Sequence, residues 1–143
     1  MLRRTLGAMR YDQTYDHVLD LQETAYLSGM ATRGVRVYAG GDLYASGVIS
    51  DGVVVDVGGR ASLSGLLSGP SVVRGVLDVS GKVDGPIRIE EDGMVIFAVG
   101  CMWNGRILQP DGRWATPTEP VTVMIDDSTP RYRMDAGGEL TLL

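Results

Sequence analysis

A self-similar unit of 18 or 16 residues recurs along most of the chain and constrains the fold more than any other feature. Residues 20 to 37 read DLQETAYLSGMATRGVRV, residues 38 to 55 YAGGDLYASGVISDGVVV, and residues 56 to 73 DVGGRASLSGLLSGPSVV. Residues 74 to 89, RGVLDVSGKVDGPIRI, repeat the pattern in a shorter unit, and residues 90 to 107 carry a degenerate copy ending CMWNGRI. Aligned on Ser-Gly, the copies form columns of one chemical type. Ala25, Leu43, Ala61, Leu77 and Cys101 share one column, and Leu27, Ala45, Leu63, Val79 and Trp103 the next. Gly29, Gly47, Gly65, Gly81 and Gly105 follow, then Ala31, Ile49, Leu67, Val83 and Ile107. Val35, Val53, Ser71 and Ile87 precede a last column of Val37, Val55, Val73 and Ile89.

Within a copy these positions mostly fall two apart, the period of a strand whose alternate side chains point inward. A unit of this length is too short for a helical pair, a propeller blade or a leucine-rich repeat with its own helix. It fits one coil of a β-solenoid built from three short strands and three corners. Gly40-Gly41 and Gly58-Gly59 stand at one corner, where positive φ is wanted. Gly34, Gly52, Gly69 and Gly85 mark a second, with Pro70 and Pro86 directly after two of them. One coil cannot bury enough apolar surface to offset its own conformational entropy, whereas stacked coils share a continuous core. An antiparallel sandwich has no reason to repeat chemical type column by column. The expected fold is therefore all-β: a single-domain parallel β-helix with 16–18 residues per coil.

The expected organisation is an irregular first coil or N-terminal cap over residues 1 to 19, repeats over 20 to 107, and a capping or partner-binding segment over 108 to 143. A short helix over the first ten residues is a further expectation. In the last segment, residues 109 to 113 and 115 to 120 read as turn and extended loop. Residues 121 to 125 and 139 to 143 read as strands. A terminal element over the last coil is expected because a bare ladder edge invites aggregation.

The resemblance to a known family lies in Ser46 to Val55, Ser64 to Gly69 and Ser80 to Gly85, turns of Gly-x-aliphatic-x-Gly type with flanking valines. In these segments the chain resembles the bactofilins, bacterial cytoskeletal proteins with a compact triangular β-helix. The similarity covers residues 25 to 107. It implies a structural, self-associating role. Bactofilins polymerise through bare terminal coils, whereas the segment after residue 108, with Trp114 and two strand-like runs, is expected to block one end here.

The chain is poor in catalytic groups, with one His, one Cys and one Lys in 143 residues. His17 lies outside the repeats, and pairing it with a serine such as Ser28 has no support in their spacing. Cys101 occupies an inward column and reads as a buried thiol. Glu90-Glu91-Asp92 and Asp126-Asp127 read as solvated turn acids rather than a glycosidase pair. No catalytic residue, cofactor or metal site is assigned. Net charge of −5, with arginines spread singly, argues against nucleic acid or an anionic membrane as partner, and no stretch has the length of a membrane span. With no signal-type leader, the cytoplasm is the expected location.

The functional expectation is a non-catalytic scaffold or protein-binding module. Its partner is another protein, a second copy or a cognate and basic one. An immunity protein that neutralises a bacterial toxin is the alternative, and a small carbohydrate-active or acyl-transfer enzyme ranks below both. Candidate contact residues are Tyr44, Val54, Arg60, Val72, Arg74, Arg88, Trp114 and Tyr132, because aromatic and arginine side chains anchor interfaces. Val54 and Val72 share an outward column with Arg36 and Arg88, an apolar pair between two cations.

Overall fold

The repeat folds into stacked coils of three strands each. The structure, a computed structural model, describes residues 9–118 and 124–143. The first coil is β1 (Met9–Tyr11), β2 (Thr14–Tyr15) and β3 (Leu19–Leu21), and the second β4 (Thr24–Leu27), β5 (Met30–Ala31) and β6 (Val35–Val37). The third is β7 (Asp42–Ala45), β8 (Val48–Ile49) and β9 (Val53–Val55), and the fourth β10 (Arg60–Leu63), β11 (Leu66–Ser68) and β12 (Ser71–Val73). The fifth is β13 (Val76–Val79), β14 (Lys82–Asp84) and β15 (Ile87–Ile89). A partial sixth coil contributes β16 (Met94–Ala98) and β17 (Met102–Trp103), and the chain continues through β18 (Arg106–Leu108), β19 (Trp114–Ala115), β20 (Arg131–Met134) and β21 (Leu140–Leu142).

Corresponding strands of successive coils pair in parallel and make three faces. Face one runs β1-β4-β7-β10-β13-β16-β20-β21, face two β2-β5-β8-β11-β14-β17-β18-β19, and face three β3-β6-β9-β12-β15. The register steps by whole repeats: Ala25 pairs with Leu43, Leu43 with Ala61, and Ala61 with Leu77. Inward columns therefore stack like on like, and Val37, Val55, Val73 and Val79 are fully buried in one continuous core. Ser71 is the polar exception in these columns. Its hydroxyl accepts the Val53 amide at 3.1 Å, which meets the cost of burying it.

Two kinds of glycine hold the coils at this spacing. Gly40 and Gly58 lie at φ of 84° and 82°, and Gly34, Gly52, Gly69 and Gly85 are also positive, so both expected corners require the left-handed region. The Ser-Gly glycines are required for a different reason. A Cβ on Gly47, Gly65 or Gly81 would run into the carbonyl oxygen of Gly29, Gly47 or Gly65 in the coil below. Close approach of backbones, not dihedral freedom, keeps that column glycine.

The two ends differ in detail from the sequence expectation. Met9, Arg10 and Tyr11 form a strand in register with Ala25, Tyr26 and Leu27, so the stretch from Met9 stacks as the first coil, and Met9 and Arg10 are strand where a helix is the further expectation. Residues 1 to 8 lie outside the described residues, as do 121 to 123 of the expected strand near Met124.

The degenerate fifth copy is corrected in register. Val95 and Phe97, not Cys101 and Trp103, pair with Leu77 and Val79. Trp103 instead pairs with Val83, one face further on. Gly105 leaves the Ser-Gly column: Asn104 and Gly105, at φ of 51° and 78°, form the two-residue turn that brings β18 back antiparallel to β17. From there the ladder changes sense. β18 and β19 pair antiparallel on face two, and β20 and β21 antiparallel beyond β16 on face one.

Candidate binding surface

The face-one strands bring one outward residue from each coil into a single row. Arg10, Tyr26, Tyr44, Ser62, Asp78 and Ile96 are successive partners in register. The Tyr26 and Tyr44 rings stack at 5.2 Å with 20° between planes, and the Arg10 guanidinium lies 5.8 Å from the Tyr26 ring centre. Tyr44 donates its hydroxyl to Asp42 Oδ2 at 3.1 Å, and this bond to a carboxylate raises the phenol's pKa. Arg60, in the neighbouring row, pairs with Asp78 Oδ2 at 3.1 Å. A cleft of about 560 Å³ follows this row, between the tyrosine pair and the serines of the adjoining corner. Both tyrosines remain about two-fifths exposed at 43% and 40%.

Face three carries the expected outward column Arg36, Val54, Val72 and Arg88, with both valines half-buried. Beside it runs an ion ladder at the corner. Asp56 accepts from Arg36 at 3.1 Å and from Arg74 at 3.0 Å, while Glu90 accepts from Arg74 at 2.9 Å and Arg88 at 2.8 Å. Each carboxylate thus bridges two arginines from different coils. Exposed pairs of this kind contribute little singly, and a network that fixes each side chain by more than one partner contributes more. The bond to Asp56 raises the Arg36 pKa, and the same guanidinium lies 5.0 Å from the Tyr38 ring centre.

The eight candidate residues therefore divide among three places. Tyr44 and Arg60 meet on face one. Val54, Val72, Arg74 and Arg88 gather on face three and its corner. Trp114 and Tyr132 are taken into the C-terminal end of the core: Trp114 meets the Phe97 ring edge-on at 5.1 Å and Trp103 at 5.7 Å. Tyr132 is only 8% exposed and donates its hydroxyl to the Pro110 carbonyl at 2.6 Å. Both side chains seal that end instead of facing outward. Trp103 completes the cluster, stacking on Phe97 at 5.5 Å and donating its indole N–H to the Gly85 carbonyl at 2.9 Å.

Arg10, Tyr26 and Asp78 complete the face-one row without having been singled out from the sequence. Tyr26 was legible there, one repeat before Tyr44 in the same column. The catalytic candidates scatter. Cys101 is 1% exposed, and burial pushes its thiol up to about 12, far from a nucleophile's range. Glu90 is held in the ion ladder. Asp126 accepts from the Ser128 hydroxyl and amide at 2.6 Å and 2.9 Å, bonds that hold its carboxyl below the ordinary value. His17 is exposed beside the Tyr15 ring on the first coil. Among the described residues no helix is long and apolar enough to cross a membrane. Comparison with family models, curated proteins and solved structures returned no match.

Proposed function

We propose that the chain is a non-catalytic protein-binding scaffold of bactofilin-like structural role, and that it pairs with a second copy through its N-terminal coil. The observation that carries this is the inequality of the two ends. Among the described residues, β1, β2 and β3 each have a strand neighbour on one side only. Met9 stands in the inward column yet is 48% exposed, while its column mates Ala25 and Leu43 are 1% exposed. Leu19 and Leu21 of the same coil are buried at 3%, so the exposed apolar side chain at this edge is Met9, and an unpaired strand edge beside it favours strand addition. At the other end, antiparallel strands and the Trp103–Trp114–Phe97 cluster replace the parallel ladder on faces one and two, and face three ends at β15. A unit that joins through one end only closes into a two-fold pair and stops, whereas a filament needs two complementary ends.

Size-exclusion chromatography with light scattering tests this. The expected particle has twice the 15.3 kDa chain mass, and Met9→Asp converts it to a monomer of unchanged circular dichroism by setting like charges face to face. A monomer at every concentration, or a dimer indifferent to Met9→Asp, overturns the reading.

A further inference from the structure

The face-one row has a vacant step. Successive strands of a sheet lie about 4.8 Å apart, so Tyr44 and Asp78 are separated by two steps, roughly 10 Å, with Ser62 alone between them. Tyr26 covers one face of the Tyr44 ring. The next residue of the row is Ser62, a short side chain, and among the described residues no further ring or cation lies against the Tyr44 ring. Asp78 stands on the far side. Arg60 engages its Oδ2 and leaves Oδ1 to accept. The opposite end of the row shows which group such a position takes, since there Arg10 lays its guanidinium over the outer face of Tyr26.

We propose that the step above Ser62 receives an arginine side chain from a basic partner protein. One face of the incoming guanidinium rests on the Tyr44 ring, and its edge donates to Asp78 Oδ1. This repeats at the other end of the tyrosine stack the contact that Arg10 makes within the chain. A cation over an aromatic face and a charge-assisted bond to a carboxylate reinforce each other at this spacing. Arginine suits the slot better than lysine, because a planar guanidinium stacks and donates edge-on at the same time. Asp12 and Asp127 on the cleft wall add negative potential, and the chain as a whole carries −5. Arg131, also on the wall, donates to the Asp126 and Thr129 carbonyls of its own turn. The site adds a partner to the protein-binding reading, and its slot of Tyr44, Ser62 and Asp78 lies on the third to fifth coils and does not involve Met9, so it stands or falls independently of pairing between copies.

The test follows the Tyr44 ring resonances by NMR while adding an arginine–glycine repeat peptide, its lysine and citrulline counterparts, or a cello-oligosaccharide. The arginine peptide is expected to shift those resonances saturably, the lysine peptide to bind more weakly, and the neutral, isosteric citrulline peptide and the sugar to leave them unmoved. Ser62→Phe, which fills the step with a third ring, should weaken binding by about tenfold or more, and Asp78→Asn by about fivefold. Glu91→Gln, an equal loss of charge at an exposed turn, should change it less than about twofold. Equal binding of the citrulline peptide, preference for the oligosaccharide, or full binding by Ser62→Phe overturns the proposal. Equal weakening by Glu91→Gln and Asp78→Asn also overturns it, by reducing the effect to diffuse acidity. Should Ser62→Phe fail to fold, the comparison of Asp78→Asn with Glu91→Gln decides.

Discussion

Replacing Gly65 with alanine tests the claim that coil-to-coil distance, rather than turn geometry, fixes the Ser-Gly column. The new Cβ would overlap the Gly47 carbonyl oxygen and lie 2.6 Å from the Ser46 carbonyl oxygen and 2.7 Å from its carbon. All three are backbone atoms, so no side chain can swing aside. Relief requires parting the coils where the Gly65 and Leu66 amides donate to Ala45 and Gly47 at 3.1 Å and 3.0 Å. Overpacking of a close-packed interior costs about 1–3 kcal/mol. Weakening two coil-to-coil hydrogen bonds adds about 1 kcal/mol each. The expected loss is about 3–5 kcal/mol, a large part of the ~5–15 kcal/mol that holds a domain of this size together. Gly105→Ala is the control, because Gly105 sits at φ +78° with no heavy atom within 4 Å of an added Cβ. Only left-handed strain applies there, about 1–2 kcal/mol. Urea unfolding followed by circular dichroism reads both as midpoint shifts at constant slope. If Gly65→Ala costs no more than Gly105→Ala, close approach is not what keeps the column glycine.

Two further outcomes probe the sealed end. Trp114→Ala should cost about 2–4 kcal/mol by uncovering Phe97 and Trp103, and hydrogen exchange should show protection falling first in β16 to β19 while β4 to β12 stay protected. Cys101 supplies a pH signature. Its folded thiol, at about 12, lies above the ordinary 9.0, so the folded state keeps a proton that the unfolded chain releases. Stability from this group is complete below about pH 9 and falls as pH rises toward 12, by up to about 4 kcal/mol. Urea midpoints of the wild type should therefore drop more between neutral pH and about pH 10 than those of Cys101→Ala. Parallel curves would refute it.

The sequence by itself determined the fold, because a parallel ladder stacks each residue on its counterpart one repeat away. Columns such as Val37–Val55–Val73 are then visible as letters 18 apart. The same logic exposed the outward column of Arg36, Val54, Val72 and Arg88. Legibility ended where the ladder changed sense. In the degenerate copy, apolar residues at spacing two fit two registers, and Asn104-Gly105, a hairpin signal, was absorbed into a glycine column. Side-chain partnerships across coils were also beyond reach. That Asp56 and Glu90 would each bridge two arginines depends on rotamers and, for three of the four contacts, on distances between residues 16 to 20 apart. Tyr132 and Trp114 turned inward because the end of a core must be covered, a demand made only once the coils are stacked. Ser62 took on meaning in the same way: a serine among varied outward letters became a gap between a ring and a carboxylate when Tyr44 and Asp78 were set on either side of it. Repetition along the chain carries the information for the core, whereas a surface is written by neighbours that only folding brings together.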